Sequence, residues 1–220
     1  ESAWRQLDFL VSRTNFRENI KLQVLDVTKE ELTADFSDAS EISDSSLHRM
    51  VYTDEYGQFG GEPVGALVGA YEFGPGETDC ELLKCMANVA GMAHAPFIAA
   101  ASSAFLGLDS WGDLYKLKDL ESVFDSPTYR TWNGLRSVED SRNLCLTLPR
   151  FLLRAPYGSQ NEIAEFDYEE NAADGDDFCW GNAAFALATR VVDSFAKYRW
   201  CPNIIGPKSG GAVTGLPSYV

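Results

Sequence analysis

His94, Ser102, Ser103 and Asp109 stand close together in "GMAHAPFIAAASSAFLGLD", and those residue types invite a hydrolase reading. Histidine would be the base, serine the nucleophile and aspartate the group that orients the imidazole. Such chemistry also needs the serine exposed on a strained turn, as in G-x-S-x-G. Here the serines follow a run of alanines at the end of an apolar segment, where Ser commonly opens a turn. His94 reads better as the end of a helix, its ring donating to the free carbonyls of the last turn. A hydrolase-like enzyme using His94 with Ser102 or Ser103 is kept as the alternative.

The remaining chemistry-bearing residues give weaker signals. His48, in "SSLHRMVY", has no second ligand nearby and reads as an exposed helix position. The cysteines at 80, 85, 145, 179 and 201 contain no C-x-x-C pair, and the spacing reads as buried free thiols rather than a zinc site or a disulfide framework. Asp167, Glu169 and Asn171 imitate the start of a calcium loop, but Ala172 stands where its glycine belongs. "GPKSGG" and "GQFGGEPVG" both lack the spacing and the following helix of a phosphate cradle. Arg150 and Arg154 interrupt an apolar segment and are expected to pair with carboxylates such as Glu139 and Asp140. No catalytic, metal or cofactor residue is assigned.

The elements that would position these groups are legible from periodicity. Trp4, Leu7 and Leu10/Val11 place a helix over 1–13. "IKLQVLDV" (20–27) is strand-like, and Thr28 with Glu31 forms a capping box for the helix that follows. Residues 37–47 read as a loop or short helix. An apolar strand is expected over 64–73, with Gly65 and Gly69 admitting another backbone. Thr78 and Glu81 suggest a second capping box for a helix over 78–94 that buries Leu82, Met86, Val89 and Ala93. Residues 97–101 form a buried strand, and Ser126-Pro127 starts a further helix. Residues 143–149 form another strand. Residues 155–177 are an acidic, exposed excursion with one strand near 163–168. The closing helix, 182–198, turns Ala184, Leu187, Val191 and Phe195 inward and pairs Asp193 with Lys197 outside. Strands alternating with helices give an α/β fold, a mixed sheet flanked by helices, with 1–220 as a single domain.

Composition bounds the rest. The chain is 45% hydrophobic with 13 Phe, 5 Trp and 9 Tyr, enough for a sizeable core. No apolar run reaches the ~18 residues that span a bilayer, and no signal peptide is read. The net charge of −15 repels nucleic acid and anionic membrane and suits a basic protein partner. Free thiols point to a cytosolic setting. A first residue already inside a helix, without Met, reads as a piece of a longer protein.

Longer strings are more specific than any of these motifs. "SAWRQLDFLVSRTNFRENIKLQVLDVTKEEL", "YTDEYGQFGGEPVGALVGAYEF", "AHAPFIAAAS", "EDSRNLCLTLPRFLLRAPYG" and "WGNAAFALATRVVDSFAKYRWCPNIIGPKSGGAV" follow one another through nearly the whole chain. Together they resemble the large subunit of the bacterial type VI secretion contractile sheath (the VipB/TssC family). The matching positions include Tyr56, Gly57, Phe59, Gly60, Gly61, His94, Pro96, Asp140, Arg142, Pro149, Arg150, Trp180, Gly181 and Asn182, and the resemblance implies that they are structural. Cys145 replaces a usual glycine, and "ASSAFLGLDSWGDL" departs around its turn.

That resemblance implies a non-enzymatic subunit of a helical assembly. It would pair with a small sheath subunit (VipA/TssB type) and contact neighbouring sheath subunits. The polymer would surround an inner-tube protein (Hcp type), and contraction would drive effector delivery. An AAA+ disassembly ATPase (ClpV type) would act on the contracted sheath. The setting implied is the Gram-negative cytoplasm, docked on the inner-membrane baseplate, without membrane insertion or nucleic acid. Family members are about twice this length. The present chain would therefore be the middle portion, in the outer body rather than the polymerising core.

Overall fold

The structure is a computed structural model that describes residues 1–158, 163–171 and 175–218. Helix α1 (Ser2–Ser12) opens the chain, followed by α2 (Lys29–Asp38) and the short α3 (Ser46–His48). Strand β1 (Leu67–Phe73), helix α4 (Glu77–Ala93) and strand β2 (Phe97–Ala101) form a βαβ unit. Two short helices, α5 (Leu120–Phe124) and α6 (Arg130–Arg136), lead to β3 (Leu144–Thr147). The antiparallel strands β4 (Phe151–Leu152) and β5 (Trp180–Gly181) then precede α7 (Ala183–Tyr198).

The main sheet runs β1-β2-β3 and is parallel throughout. Its pleat sends alternate residues to opposite faces. Phe97 and Ala99 join Leu144 and Leu146 on the face covered by α4, where Leu83 and Val89 are fully buried. Each such side chain contributes about 2 kcal/mol through burial. Helix α7 packs on the sheet with α1 against it, and a second core of Leu10, Phe185 and Ala188 takes in Val68 from β1. Parallel strands buried on both faces explain why "FIAAA" is apolar without alternation.

Caps settle most helix starts. Thr28 and Glu31 form the reciprocal capping box expected of them. The second expected box does not form. Gly76 is the N-cap of α4, so Thr78 lies inside the first turn, and Asp79 instead accepts from the Gly74 N–H. Ser126 places Pro127 at the first position of a 3-10 turn, without a side-chain cap of its own, and α6 begins only at Arg130.

Several expectations are corrected by packing. Residues 20–27 hold Leu22 and Val27 against the cores but pair with no strand among the described residues, leaving Val24 and Leu25 exposed. Trp4 is 78% exposed, and Gln6 and Leu10 are the buried positions of α1. The inward face of α7 is rotated: Ala184, Phe185, Ala188 and Thr189 are buried, whereas Leu187, Val191 and Phe195 are half-buried. The Asp193–Lys197 pair stands as expected at 2.7 Å. Gly69 does meet a close neighbour, the Phe97 ring rather than backbone, while Gly65 faces open space. Near 163–168 there is only an isolated bridge, Ile163 to Phe166.

Candidate functional site

The His/Ser/Asp constellation does not assemble. His94 lies at the N-terminal end of β2 and Ser102 just beyond its C-terminal end, so the five-residue strand, ~16 Å long, separates them. His94 is the C-cap of α4 in the left-handed conformation, at φ 53°, and its backbone N–H reaches Ala90 O and Gly91 O. The backbone therefore does the capping expected of the ring. The exposed imidazole packs 5.7 Å from the Tyr56 ring. Geometry thus gives no support to the hydrolase alternative.

His48 is buried, 5% exposed, where an exposed helix position was expected. Its Nδ1 lies 3.0 Å from the Ser43 carbonyl. Among the cysteines only Cys80 is buried and four are half-buried. Burial pushes the Cys80, Cys85, Cys145, Cys179 and Cys201 thiols up, so each favours the protonated form over the metal-binding or nucleophilic thiolate. No group of three potential ligands gathers among the described residues. Ala172, on which the calcium alignment turned, lies outside them.

A shallow hollow of about 460 Å³ opens beyond the C-terminal ends of β1 and β2, where α/β sheets often hold ligands. Its lining mixes apolar residues such as Leu106, Leu117 and Val123 with Lys116, Tyr129 and the hydroxyl residues Ser122, Ser126 and Thr128. The ammonium of Lys116 already pairs with Asp113 at 2.7 Å. No acid–base couple faces into it.

Most of the positions that carry the family resemblance lie at three joints, Phe59 apart, which is fully exposed. At the first, α3 runs into a π-helical turn, Arg49–Thr53, that leads to the 54–62 loop. His48, Tyr52, Tyr56 and His94 form a ladder of rings at 5.2, 5.3 and 5.7 Å. Tyr56 and Gly57 both donate their N–H to Tyr52 O. Pro96 is exposed, and its carbonyl accepts from the Leu67 N–H at the start of β1. Gly60 takes φ +87°, and a Cβ on Gly61 would overlap the Glu55 carbonyl. Gly61→Ala should therefore cost about 2 kcal/mol through forced backbone displacement. Gly60→Ala faces open space and should cost about 1 kcal/mol through its left-handed φ. Urea denaturation of the two variants checks that order.

The second joint is the 3-10 turn Glu139–Asn143 on α4. Asp140 accepts from Asn88 Nδ2 at 3.4 Å, and both Asp140 and Asn143 crowd the position a Cβ of Gly91 would need. Arg142 pairs with Glu139 at 3.0 Å. Arg154, expected to pair with acids such as these, pairs instead with Glu1 and Glu170.

The third joint ties α1, β5 and the excursion. Pro149 follows β3 through a cis Leu148–Pro149 bond, and the Arg150 guanidinium lies 4.4 Å over the Trp180 ring. Gly181 sits under Leu153 and Phe151, and Asn182 caps α7. Arg154 is 8% exposed at its side chain and forks to Glu1 at 2.7 and 2.8 Å and to Glu170 at 2.6 and 3.2 Å. Its guanidinium also lies 3.7 Å over the Tyr157 ring, whose hydroxyl donates to Glu1 and accepts from Arg5. The Arg154 hydrogen bonds hold the Glu1 and Glu170 carboxyls below the usual carboxylate range. Sequence reading found Arg154 but missed Glu1, Arg5, Tyr157 and Glu170. The one signal was an arginine that interrupts apolar residues and must be paired if buried.

A parallel sheet with α4 on one face and α7 on the other defines an α/β unit. The chain matches the VipB family, described as EvpB/VC_A0108, tail sheath N-terminal domain, over residues 1–220. It belongs to that family, the large subunit of the type VI secretion sheath. A curated relative is the Type VI secretion system sheath protein TssC1 of Pseudomonas aeruginosa strain PAO1, 44% identical over 224 residues. The alignment takes in all of this chain and 45% of that protein, so the chain spans about half the length of its curated relative.

Proposed function

We propose that this chain is a single α/β unit in the body of a contractile sheath subunit, with a structural rather than catalytic role. The end-to-end family match carries the reading: all 220 residues align with a tail sheath N-terminal domain. The use of family-like residues as joints agrees with it. In this reading the whole protein pairs with a small sheath subunit and polymerises with its neighbours around an inner tube. Contraction drives effector delivery, and an AAA+ ATPase disassembles the contracted polymer. The assembly lies in the bacterial cytoplasm, docked on the inner-membrane baseplate. No helix among the described residues is long and apolar enough to cross a membrane.

The test is co-expression of the full-length protein with its small sheath partner, followed by electron microscopy. Sheath-like tubules are the expected product. Two folded proteins that repeatedly yield none would overturn the reading.

A further inference from the structure

Phe59 is fully exposed, at 110%, on a loop built to keep it there. The loop closes through Gly61 N–H to Gln58 O at 3.2 Å and through Glu62 N–H to the Glu55 carboxylate at 2.8 Å. Gly61 packs directly on the Glu55 backbone, and Gly60 supplies the left-handed turn. At its base Tyr56 is held between the Tyr52 and His94 rings. An aromatic side chain held in water adds nothing to folding. Held rigidly at a tip, it is preorganised to bury its area elsewhere with little loss of entropy.

Charge identifies the kind of surface that would receive it. Asp54, Glu55 and Glu62 border the tip, and the nearby cation Lys21 is already paired with Glu62. The chain as a whole carries −15, so a second copy would bring like charge to the same contact. We infer that Phe59 anchors this chain in an apolar pocket rimmed by lysine or arginine on a different polypeptide. The inference rests on the assembly role proposed above and adds where one contact is made and what chemistry meets it.

The experiment places a photo-crosslinker at the tip, Phe59→p-benzoylphenylalanine, in the full-length protein expressed with its own secretion genes. Crosslinked peptides are mapped by mass spectrometry, and the partner so identified is purified for titration. The expected crosslink falls on a non-identical chain, among apolar residues flanked by Lys or Arg. Phe59→Ala should then weaken binding about thirtyfold, as removal of an interface anchor does, and Phe59→Leu only a few-fold. The melting temperature of the Phe59→Ala protein should stay unchanged, because no described residue packs on the side chain; a clear drop would place Phe59 against the rest of its own polypeptide and overturn the inference. Crosslinks only within the same molecule or to copies of it, no crosslink at all, or unchanged binding by Phe59→Ala would overturn the inference. Should tubules form equally well with Phe59→Ala, this contact falls and the sheath reading stands. Should the unsubstituted protein form none, the sheath reading falls, and the crosslink still decides the contact.

Discussion

Replacing Arg154 with methionine should lower stability at pH 7 by about 3 kcal/mol, the low end for breaking a buried ion pair. The low end applies because Glu1 keeps 42% of its side chain in solvent while Arg154 keeps 8%. Methionine retains much of the apolar volume, so the loss reports the charge network rather than a cavity. What remains is two carboxylates, Glu1 and Glu170, that now face each other without their shared cation. Arg154→Lys should recover only part of the loss. An ammonium, with three donors and no planar fork, cannot reproduce the four hydrogen bonds to Glu1 and Glu170 or lie flat on the Tyr157 ring.

The same network fixes the direction of the pH dependence. Glu1 and Glu170 both have folded-state pKa values below the ordinary carboxylate value of 4.5, chiefly through hydrogen bonds from Arg154. A depressed carboxylate contributes stability above its unfolded pKa and loses it as pH falls through the folded value. Wild-type stability should therefore fall from about pH 4.5 downward. The gap to Arg154→Met should narrow over that window. Guanidinium denaturation at pH 7, 5 and 3 measures both. A gap that stays constant down to pH 3 would contradict the assignment.

Asn182→Ala should cost about 2.5 kcal/mol, or roughly 7 °C in melting temperature for a chain of this size. The side chain does two separate tasks. Its Oδ1 accepts from the Ala184 N–H at 2.8 Å and caps α7, and its Nδ2 donates to the Tyr71 carbonyl at 2.8 Å. The second bond has a specific origin. The β1–β2 register slips between Val68 and Glu72, and such a bulge takes backbone groups out of the ladder. Asn182 satisfies the carbonyl of Tyr71 in that interval. Its backbone N–H also donates to Gln6 Oε1 at 3.2 Å, which draws α1 into the same seam. Alanine loses the cap, worth about 1 kcal/mol, and leaves a part-buried carbonyl unsatisfied for about 1.5 more. Asn182→Ser should lie between, keeping the cap and losing the Tyr71 bond. Asn182→Asp should be at least as damaging as alanine, since a carboxylate oxygen would face the Tyr71 carbonyl. Thermal melts of the three variants give the order.

These two residues show where sequence reading succeeds and stops. Helix α4 was legible because Leu82, Met86, Val89 and Ala93 repeat at the helical period, and all four are buried. The Thr28–Glu31 box was legible because its partners are three residues apart. Asn182 was placed at the start of α7, but its bond to Tyr71 spans 111 residues and depends on a bulge with no signature of its own. The segment 20–27 has the composition of a strand, but composition does not record whether another backbone lies alongside, and it pairs with no strand among the described residues. His48 looked like a surface residue beside Arg49, yet it closes α3 buried, with its ring 5.2 Å from that of Tyr52 in the π-helical turn that follows.

By itself the sequence determined what short-range physics controls: helix periods, caps, the apolar strands, the acidic surface and the family those strings belong to. Only the tertiary structure decided which charges distant in sequence pair and how the inward faces of α1 and α7 are turned. Glu1 meets Arg154 across 153 residues, and no local pattern records a contact that exists only once both faces of the sheet are covered.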